Sequence, residues 1–335
     1  MSFPRYERYK DSGVDWLGEV PEHWQTHTIK HIVSTPISDG PHETPEFLDE
    51  GVPFASAEAV SSGTLDFSKI RGFISREDHK RYGEKYLPRR NDIFMVKSGA
   101  TTGVTAIVET DAEFNIWSPL AAIRCGLTAD PYFVLFYLRS KKFLEAVTLS
   151  WSFGTQQNIG MGVIENLCIP LPHIGEQKQI ATFLKYEIGK IEKLIGEQRR
   201  LIELLKEKCQ AVISHAVTKG LNPDAPMKDS GTFWIGKVPQ HWDVSSLRYF
   251  ARFSSGSTPD RMKESYWGGD IPWVKTGEID YAVINTTEEA ISVEGMAESS
   301  VTLVPAGSML LALYGQGVTR GRVAMLGVAA TFNQA

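Results

Sequence analysis

The chain has 335 residues, of which 42% are hydrophobic and 22% are charged. This composition is typical of folded protein and excludes a wholly disordered or fibrous chain, while the length suits two domains of ordinary size. No run of 18 apolar residues occurs, so we expect no membrane-spanning helix, and the polar N-terminus does not resemble a secretory signal. A cytoplasmic location is therefore the expectation. The formal net charge of −5 argues, taken alone, against a nucleic-acid partner.

One segment reverses this charge balance. Between Lys69 and Lys97 there are nine basic and four acidic residues, so this segment carries +5 and the rest of the chain −10. A local cluster of this kind can neutralise DNA phosphates even in an acidic chain. The candidate phosphate-binding residues are Lys69, Arg71, Arg76, Lys80, Arg81, Lys85, Arg89 and Arg90.

The sequence also contains an internal repeat. Residues 10–24 read KDSGVDWLGEVPEHW and residues 228–242 read KDSGTFWIGKVPQHW, which are ten identities in fifteen positions at an offset of 218. Fainter matches follow, such as Gly51–Phe54 with Asp270–Trp273. The chain therefore contains one complete unit and about half of a second, which we interpret as a truncated product.

The complete unit predicts an α+β fold. Residues 20–172 consist mainly of short β-branched and aromatic runs between turn residues, such as Asp92–Lys97 and Gly103–Val108. A helix is predicted at Tyr132–Val147, where apolar residues follow helical spacing.

A long helix is predicted from Glu176 to Val217. Its apolar residues alternate in steps of three and four, which is the pattern of a coiled-coil seam. At 1.5 Å per residue it would be about 60 Å long, so we expect it to pack on another long helix rather than stand alone in solvent. The seam residues are Leu184, Ile188, Ile191, Ile195, Gln198, Ile202, Leu205, Cys209 and Val212.

No motif predicts catalysis or metal binding. Residues 231–238 nearly spell a phosphate-binding loop, but Val238 occupies the required hydroxyl position. His23, His27 and His31 would share a face if that stretch were helical, yet the second copy retains one of the three histidines. The cysteines are too far apart for a zinc site, and we expect all three to be reduced packing residues.

The repeat and the long helix together resemble the specificity subunits of type I restriction-modification systems. The resemblance is carried by the helix, its two ends and the second repeat. The matching runs are Leu171–Ile180, Leu201–Lys208, Ala216–Pro223, Met227–Gly231 and Gly236–Trp242.

This resemblance implies a non-catalytic DNA reader of the prokaryotic cytoplasm with a pseudo-two-fold repeat. Two target recognition domains would each read one half of a split site in double-stranded DNA, and the helices would set the spacing between the halves. The same helices would dock methyltransferase subunits, which bring S-adenosylmethionine, and through them the restriction subunit, which brings ATP and Mg²⁺. This chain itself would hold no cofactor and no metal. The implied domains are 1–172 with a connector over 1–24, the spacer helix and its exit at 173–227, and an incomplete second recognition domain with its connector at 228–335.

Two polar loops are candidates for base reading. Base edges in a groove are read by side chains that offer paired donors and acceptors, and residues 97–103 and 152–158 supply such side chains on loops. Each could equally be an ordinary surface turn. The candidate residues are Lys97, Thr101, Thr102, Gln156, Gln157 and Asn158.

A different class of function fits the same pattern. Two globular heads on a coiled coil could be a scaffold that binds proteins and no DNA. The exposed seam further predicts a homodimer through the long helix when no methyltransferase subunit covers it.

Overall fold

The computed structural model of the chain describes residues 5–149, 158–314 and 320–334. The chain divides into two compact units, Met1–Lys208 (unit 1) and Cys209–Ala335 (unit 2). Each combines small sheets with short helices, so the predicted α+β class is confirmed. The boundary between the units falls inside the long helix and differs from the predicted boundaries at 172 and 227, which stay predictions. None of the helices in the described ranges is long and apolar enough to traverse a bilayer.

Unit 1 is built around a four-stranded antiparallel sheet in the order β4-β10-β7-β8. A second sheet has the order β6-β5-β9, and the pairs β1-β2 and β11-β3 complete the unit. The described strands are β1 (Tyr9–Asp11), β2 (Glu19–Pro21), β3 (Gln25–Thr28), β4 (Ser38–Asp39), β5 (Val52–Ala55), β6 (Gly72–Ile74), β7 (Ile93–Val96), β8 (Thr105–Ile107), β9 (Asn115–Ile116), β10 (Leu120–Ile123) and β11 (Cys168–Leu171). The helices are α1 (Ala57–Val60), α2 (Arg76–Lys85), α3 (Pro131–Leu138), α4 (Lys141–Leu149), α5 (Met161–Asn166) and α6 (Ile174–Lys219), the last of which continues into unit 2.

The central sheet is buried on both faces, which explains the continuous apolar runs of its strands. Along β7, Ile93 and Met95 face the core that α3, α4 and α5 cover. Phe94 and Val96 face a second core shared with α1 and β9. The strands predicted at Asp92–Lys97 and Gly103–Val108 are therefore confirmed as β7 and β8.

The single helix predicted at Tyr132–Val147 is divided into two helices, α3 and α4. The prediction of one continuous helix was therefore wrong. The guanidinium of Arg139 donates to the carbonyl oxygen of Thr105 at 2.9 Å, which fixes the chain at the end of α3. The Ser140 hydroxyl then accepts a hydrogen bond from the Phe143 N–H at 3.3 Å, as a helix-capping residue does.

The predicted long helix is confirmed as α6, with 46 residues and a length of about 69 Å. It begins soon after Pro172 and ends at Lys219, and the next residue, Gly220, has a φ of +78°, a left-handed conformation that favours glycine. Of the cysteines, Cys125 and Cys168 are partly buried in unit 1, whereas Cys209 is exposed on α6. Cys209 is thus no packing residue within the described part of the chain.

Unit 2 repeats the first half of the unit 1 topology. Strand β14 pairs antiparallel with β16 and parallel with β19, just as β5 pairs with β6 and β9. The remaining sheets are the pair β12-β13 and the set β15-β18-β17. The described elements are β12 (Met227–Asp229), β13 (Lys237–Pro239), β14 (Trp267–Val274), β15 (Val283–Ile284), β16 (Glu289–Ile291), α7 (Val293–Ala297), β17 (Met309–Leu311), β18 (Val323–Leu326) and β19 (Thr331–Phe332).

Candidate nucleic-acid interface

Three loops of unit 1 and the residue Asn158 meet at one edge of the four-stranded sheet. We call this region the loop edge and define it as residues 40–44, 97–103, 117–119 and 158. The Lys97 N–H donates to the carbonyl oxygen of Pro119 at 2.8 Å, and the Ser118 N–H donates to that of Pro41 at 3.2 Å. These bonds join the loops that follow β7 and β4 to the residues that precede β10. The antiparallel pairing of β10 with both strands brings the three loops together.

Asn158, the last residue of the second loop predicted to read bases, lies beside the loop 97–103. Ser98 and Asn158 form an isolated antiparallel β-bridge, and the Ile159 N–H donates to the Lys97 carbonyl oxygen at 2.8 Å. Because Ile159 is fully buried, it anchors Asn158, which is exposed at the loop edge. The predicted readers Gln156 and Gln157 lie outside the described residues.

The predicted readers in the loop 97–103 differ in how freely they can act. Lys97 is 12% exposed and its ammonium binds the Asp39 carboxylate at 2.5 Å, so it holds the loop in place. The Thr102 hydroxyl donates to the Gly99 carbonyl oxygen at 2.6 Å within a tight turn. Thr101 is half-buried in the same turn.

Asp39, the last residue of β4, joins the loop edge to α2, and it was not predicted from the sequence. Its buried carboxylate binds the ammonium groups of Lys85 on α2 and of Lys97, and its second oxygen lies 3.2 Å from Nε2 of the exposed His42. Burial alone would raise the pKa of Asp39, but the hydrogen bonds from the two lysines outweigh it and keep the pKa below its ordinary value. The carboxylate is therefore charged at neutral pH and ties α2 to two of the loops.

The one sequence signal for this part of the site is the turn Asp39-Gly40-Pro41-His42. A Cβ atom on Gly40 would lie 1.8 Å from the carbonyl oxygen of Ile116, so no other residue fits without moving the backbone. The close approach sets the path of the loop and leaves His42 exposed beside the predicted readers.

Most of the predicted phosphate-binding side chains form ion pairs. In the described residues six of the eight do so, and most of their carboxylate partners come from outside the basic segment. The pairs are Lys69 with Asp66, Arg71 with Glu58, Arg76 with Glu113, Arg81 with Asp78 and Glu43, Lys85 with Asp39, and Arg90 with Asp111.

The remaining two, Lys80 on α2 and Arg89 before β7, are exposed and have no ion pair within the described ranges. The net charge of +5 therefore overstates the local field. Exposed ion pairs contribute about 0–1 kcal/mol each, so a phosphate could still displace the exposed carboxylate partners. Lys85 differs, because its partner Asp39 is buried.

The three histidines that would share a helical face have separate partners. His27 and His31 bond to Gln25 and Thr28, whereas His23 lies 3.0 Å from Glu176. No group of three potential metal ligands occurs among the residues that the structure describes.

Comparison with known proteins places this geometry in a family. The chain is 26% identical over 259 residues to the type I restriction enzyme MjaVIII specificity subunit of Methanocaldococcus jannaschii, a match that covers 76% of this chain and 55% of that protein. It is 36% identical over 80 residues to the MjaIX specificity subunit of the same organism, which is 23% of this chain and 18% of that protein. Two relatives match most of this chain, and the chain spans 63% of the length of one and 55% of the length of the other.

The fold is also found in solved structures. One such structure describes the complex assembly and conformational transition of a type I R-M system. The match covers 94% of this chain and 74% of that chain, with a TM-score of 0.63 and 15% sequence identity. Residues 21–203 match the model of the type I restriction modification DNA specificity domain, and this range contains the loop edge, the basic segment and most of α6. The chain therefore belongs to the family of type I restriction modification DNA specificity domains.

Proposed function

We propose that unit 1 reads one half of a split DNA target through the loop edge, and that α6 carries the contacts to methyltransferase subunits. Members of this family are non-catalytic DNA-recognition subunits. The observation that supports the proposal is the bridge between Ser98 and Asn158, which holds the candidate reader Asn158 beside the candidate reading loop 97–103. Phosphate contacts fix the register of a protein on DNA, and side chains on loops within reach of a groove distinguish the bases.

Asn158 is the reader whose replacement we expect to change the preferred sequence. An asparagine side chain donates to and accepts from adenine, and each lost bidentate contact removes roughly 1–3 kcal/mol of discrimination. When bound sequences are selected from a random pool of duplexes, Asn158→Ala should reduce the base preference at one position of the selected motif. Thr101→Val tests the neighbouring loop in the same experiment. A uniform loss of affinity with an unchanged sequence preference would mean that Asn158 reads no base.

The unpaired basic residues should act differently. Replacing Lys80 and Arg89 together by alanine should weaken binding to all duplexes alike and reduce the slope of log K against log[salt] by about two, since each phosphate contact contributes about 0.9. Lys193→Ala with Lys208→Ala removes the same charge from α6 and is the matched control. Equal effects of the two double variants would move the phosphate contacts elsewhere.

We propose that two faces of α6 bind partner chains. In the described residues the seam residues Ile191, Ile195, Ile202, Leu205 and Val212 are between 46% and 58% exposed, and we propose that a second long helix covers them. In the absence of methyltransferase this helix would be α6 of a second copy, because a two-fold axis lets one surface satisfy itself.

A second apolar stripe on α6 would remain free after that pairing. Leu194, Leu201 and Leu204 are 47–55% exposed and each immediately precedes a seam residue, so the stripe lies about 100° around the helix. We assign this face to the methyltransferase subunits, which would bring S-adenosylmethionine. The restriction subunit would bring ATP and Mg²⁺. The alternative, a scaffold that binds no DNA, would lack the salt-dependent duplex binding expected here.

A further inference from the structure

The backbone of the turn that carries His42 is held by donors from other parts of unit 1. Among the described residues, three donors bind carbonyl oxygens on both sides of His42 at 3.1–3.2 Å. The bonds run from Lys85 Nζ to Gly40, from the Ser118 N–H to Pro41 and from Trp117 Nε1 to Glu43. Because the carbonyl groups of its neighbours are fixed in this way, the Cα atom of His42 has a defined position at the loop edge.

The imidazole of His42 uses one nitrogen within the protein and leaves the other free. Its side chain is 73% exposed, and Nε2 lies 3.2 Å from the buried Asp39 carboxylate. An ionised carboxylate can only accept, so Nε2 is the nitrogen that carries the hydrogen in the neutral ring. Nδ1 has no hydrogen-bond partner within the described ranges. Nδ1 is therefore the polar atom of this side chain that is left for a ligand.

Unit 2 contains the same turn with different side chains. A Cβ atom on Gly256 would lie 2.0 Å from the Phe332 carbonyl oxygen in β19, just as one on Gly40 would lie 1.8 Å from that of Ile116 in β9. The charged side chains around Asp39 are replaced by uncharged ones in unit 2. The equivalent positions are Asp39 and Ser255, His42 and Thr258, and Lys97 and Leu313. The backbone of the turn is thus common to both units, whereas its exposed side chains differ, as two readers of different sequences require.

We propose that His42 reads one base of the half-site through Nδ1, and that Asp39 positions it through the contact with Nε2. The inference rests on the proposed function of unit 1, because it assigns a reader within the loop edge. A neutral imidazole accepts at Nδ1 and matches the exocyclic amine of adenine or cytosine in the major groove. An imidazolium donates at Nδ1 and matches N7 or O6 of guanine. The base preferred at this position should therefore change with pH.

The groups around His42 allow such a change to be assigned to its imidazole. Imidazole changes charge between about pH 5 and 8, whereas carboxylates and ammonium groups ordinarily titrate outside that range. Burial alone would raise the pKa of Asp39, but the hydrogen bonds from Lys85 and Lys97 keep it below its ordinary value, so the carboxylate stays ionised. The neighbouring Glu43 pairs with Arg81 on α2 at 2.8 Å.

The test is selection of bound sequences from a random pool of duplexes by the full chain, at about pH 8 and about pH 6. We expect one position of the selected motif to change from adenine or cytosine to guanine as the pH falls, while the other positions stay the same. The relative preference at that position should change about three- to tenfold, as one hydrogen bond gained or lost implies. Fluorescence anisotropy titrations of the two selected duplexes at each pH measure this ratio.

Two variants and a control separate base reading by His42 from support of the loop. His42→Gln should keep the rest of the motif and remove the pH dependence at this position, because an amide does not titrate there. Asp39→Asn should weaken the preference at this position alone, since an amide no longer selects the hydrogen on Nε2, whereas a purely structural role would weaken all positions alike. His31→Gln removes an exposed histidine that bonds to Thr28 outside the loop edge and should change neither. Far-ultraviolet circular dichroism verifies that each variant is folded, and the exposed His42 decides the test if Asp39→Asn does not fold.

Two results would overturn the role of His42 and leave the proposed function intact. One is a selected motif whose preferences are the same at both pH values. The other is a pH-dependent position that persists in His42→Gln. A chain that selects no sequence at either pH would overturn the proposed function, and this inference with it.

Discussion

Replacing Asp92 by alanine is expected to lower the free energy of unfolding of unit 1 by about 3–5 kcal/mol, because it leaves a largely buried guanidinium without its counter-charge. The Asp92 side chain is 2% exposed and that of Arg124 is 19% exposed. Arg124 donates to both carboxylate oxygens, at 2.8 and 2.7 Å. The Arg89 N–H donates to the same carboxylate at 2.7 Å, and so does the Tyr86 hydroxyl.

This cluster ties β7 to β10 at the end of the sheet opposite the loop edge, since Asp92 precedes β7 and Arg124 follows β10. Burial is the main cause that raises the pKa of Tyr86, so its hydroxyl stays protonated and needs the acceptor. Urea unfolding monitored by circular dichroism measures the effect. The matched control is Asp111→Ala, which removes a similar bidentate pair with Arg90 from an exposed site and should change stability little. Equal midpoints for the two variants would contradict the assigned role of Asp92.

Replacing Ile195 and Ile202 together by aspartate is expected to convert a homodimer into a monomer. Each leucine or isoleucine that the pairing buries completely contributes about 1.5–3 kcal/mol, and charges in the seam would remove that burial at two central positions. Gln198 lies between them in the seam and would favour the one register in which the two polar positions meet. Light scattering over a range of concentrations, without methyltransferase, measures the mass.

The control introduces aspartate at two positions on another face of α6. In Lys193→Asp with Arg200→Asp the two positions are also seven residues apart, and they lie about 200° around the helix from the seam. This variant should leave the dimer intact. A wild-type mass that stays monomeric at every concentration, with the helix content unchanged, would show that no second copy covers the seam.

Local patterns in the sequence predicted much of this fold, and long-range pairing explains what they missed. The apolar run at Asp92–Lys97 and the spacing along α6 depend on neighbouring residues, so β7 and the helix could be recognised. The ion pairs could not, because Arg71 meets Glu58 and Arg76 meets Glu113 through packing between separate elements. The count of charges along the chain therefore overestimated the free positive charge.

In the candidate site, too, local sequence patterns predicted some features and missed those that depend on long-range contacts. The loop 97–103 and the residue Asn158 were predicted separately from their residue types, and a long-range β-bridge brings them together. The turn at Asp39–His42 is a local signal, but it does not predict the ion pairs of Asp39, since the lysines that Asp39 binds are 46 and 58 residues away. The role of the half-buried Lys97 as an anchor of its loop likewise follows from its contact with Asp39 and not from its place in a polar loop.

The most direct test of sequence reading by this chain is to map DNA methylation in cells that express it together with a type I methyltransferase subunit. We expect a methylated motif in two separated parts that is present when both proteins are expressed and absent when either is left out. We also expect that Asn158→Ala relaxes one part of that motif. A methylation pattern that is the same with and without this chain would show that the chain does not select the methylated sequence.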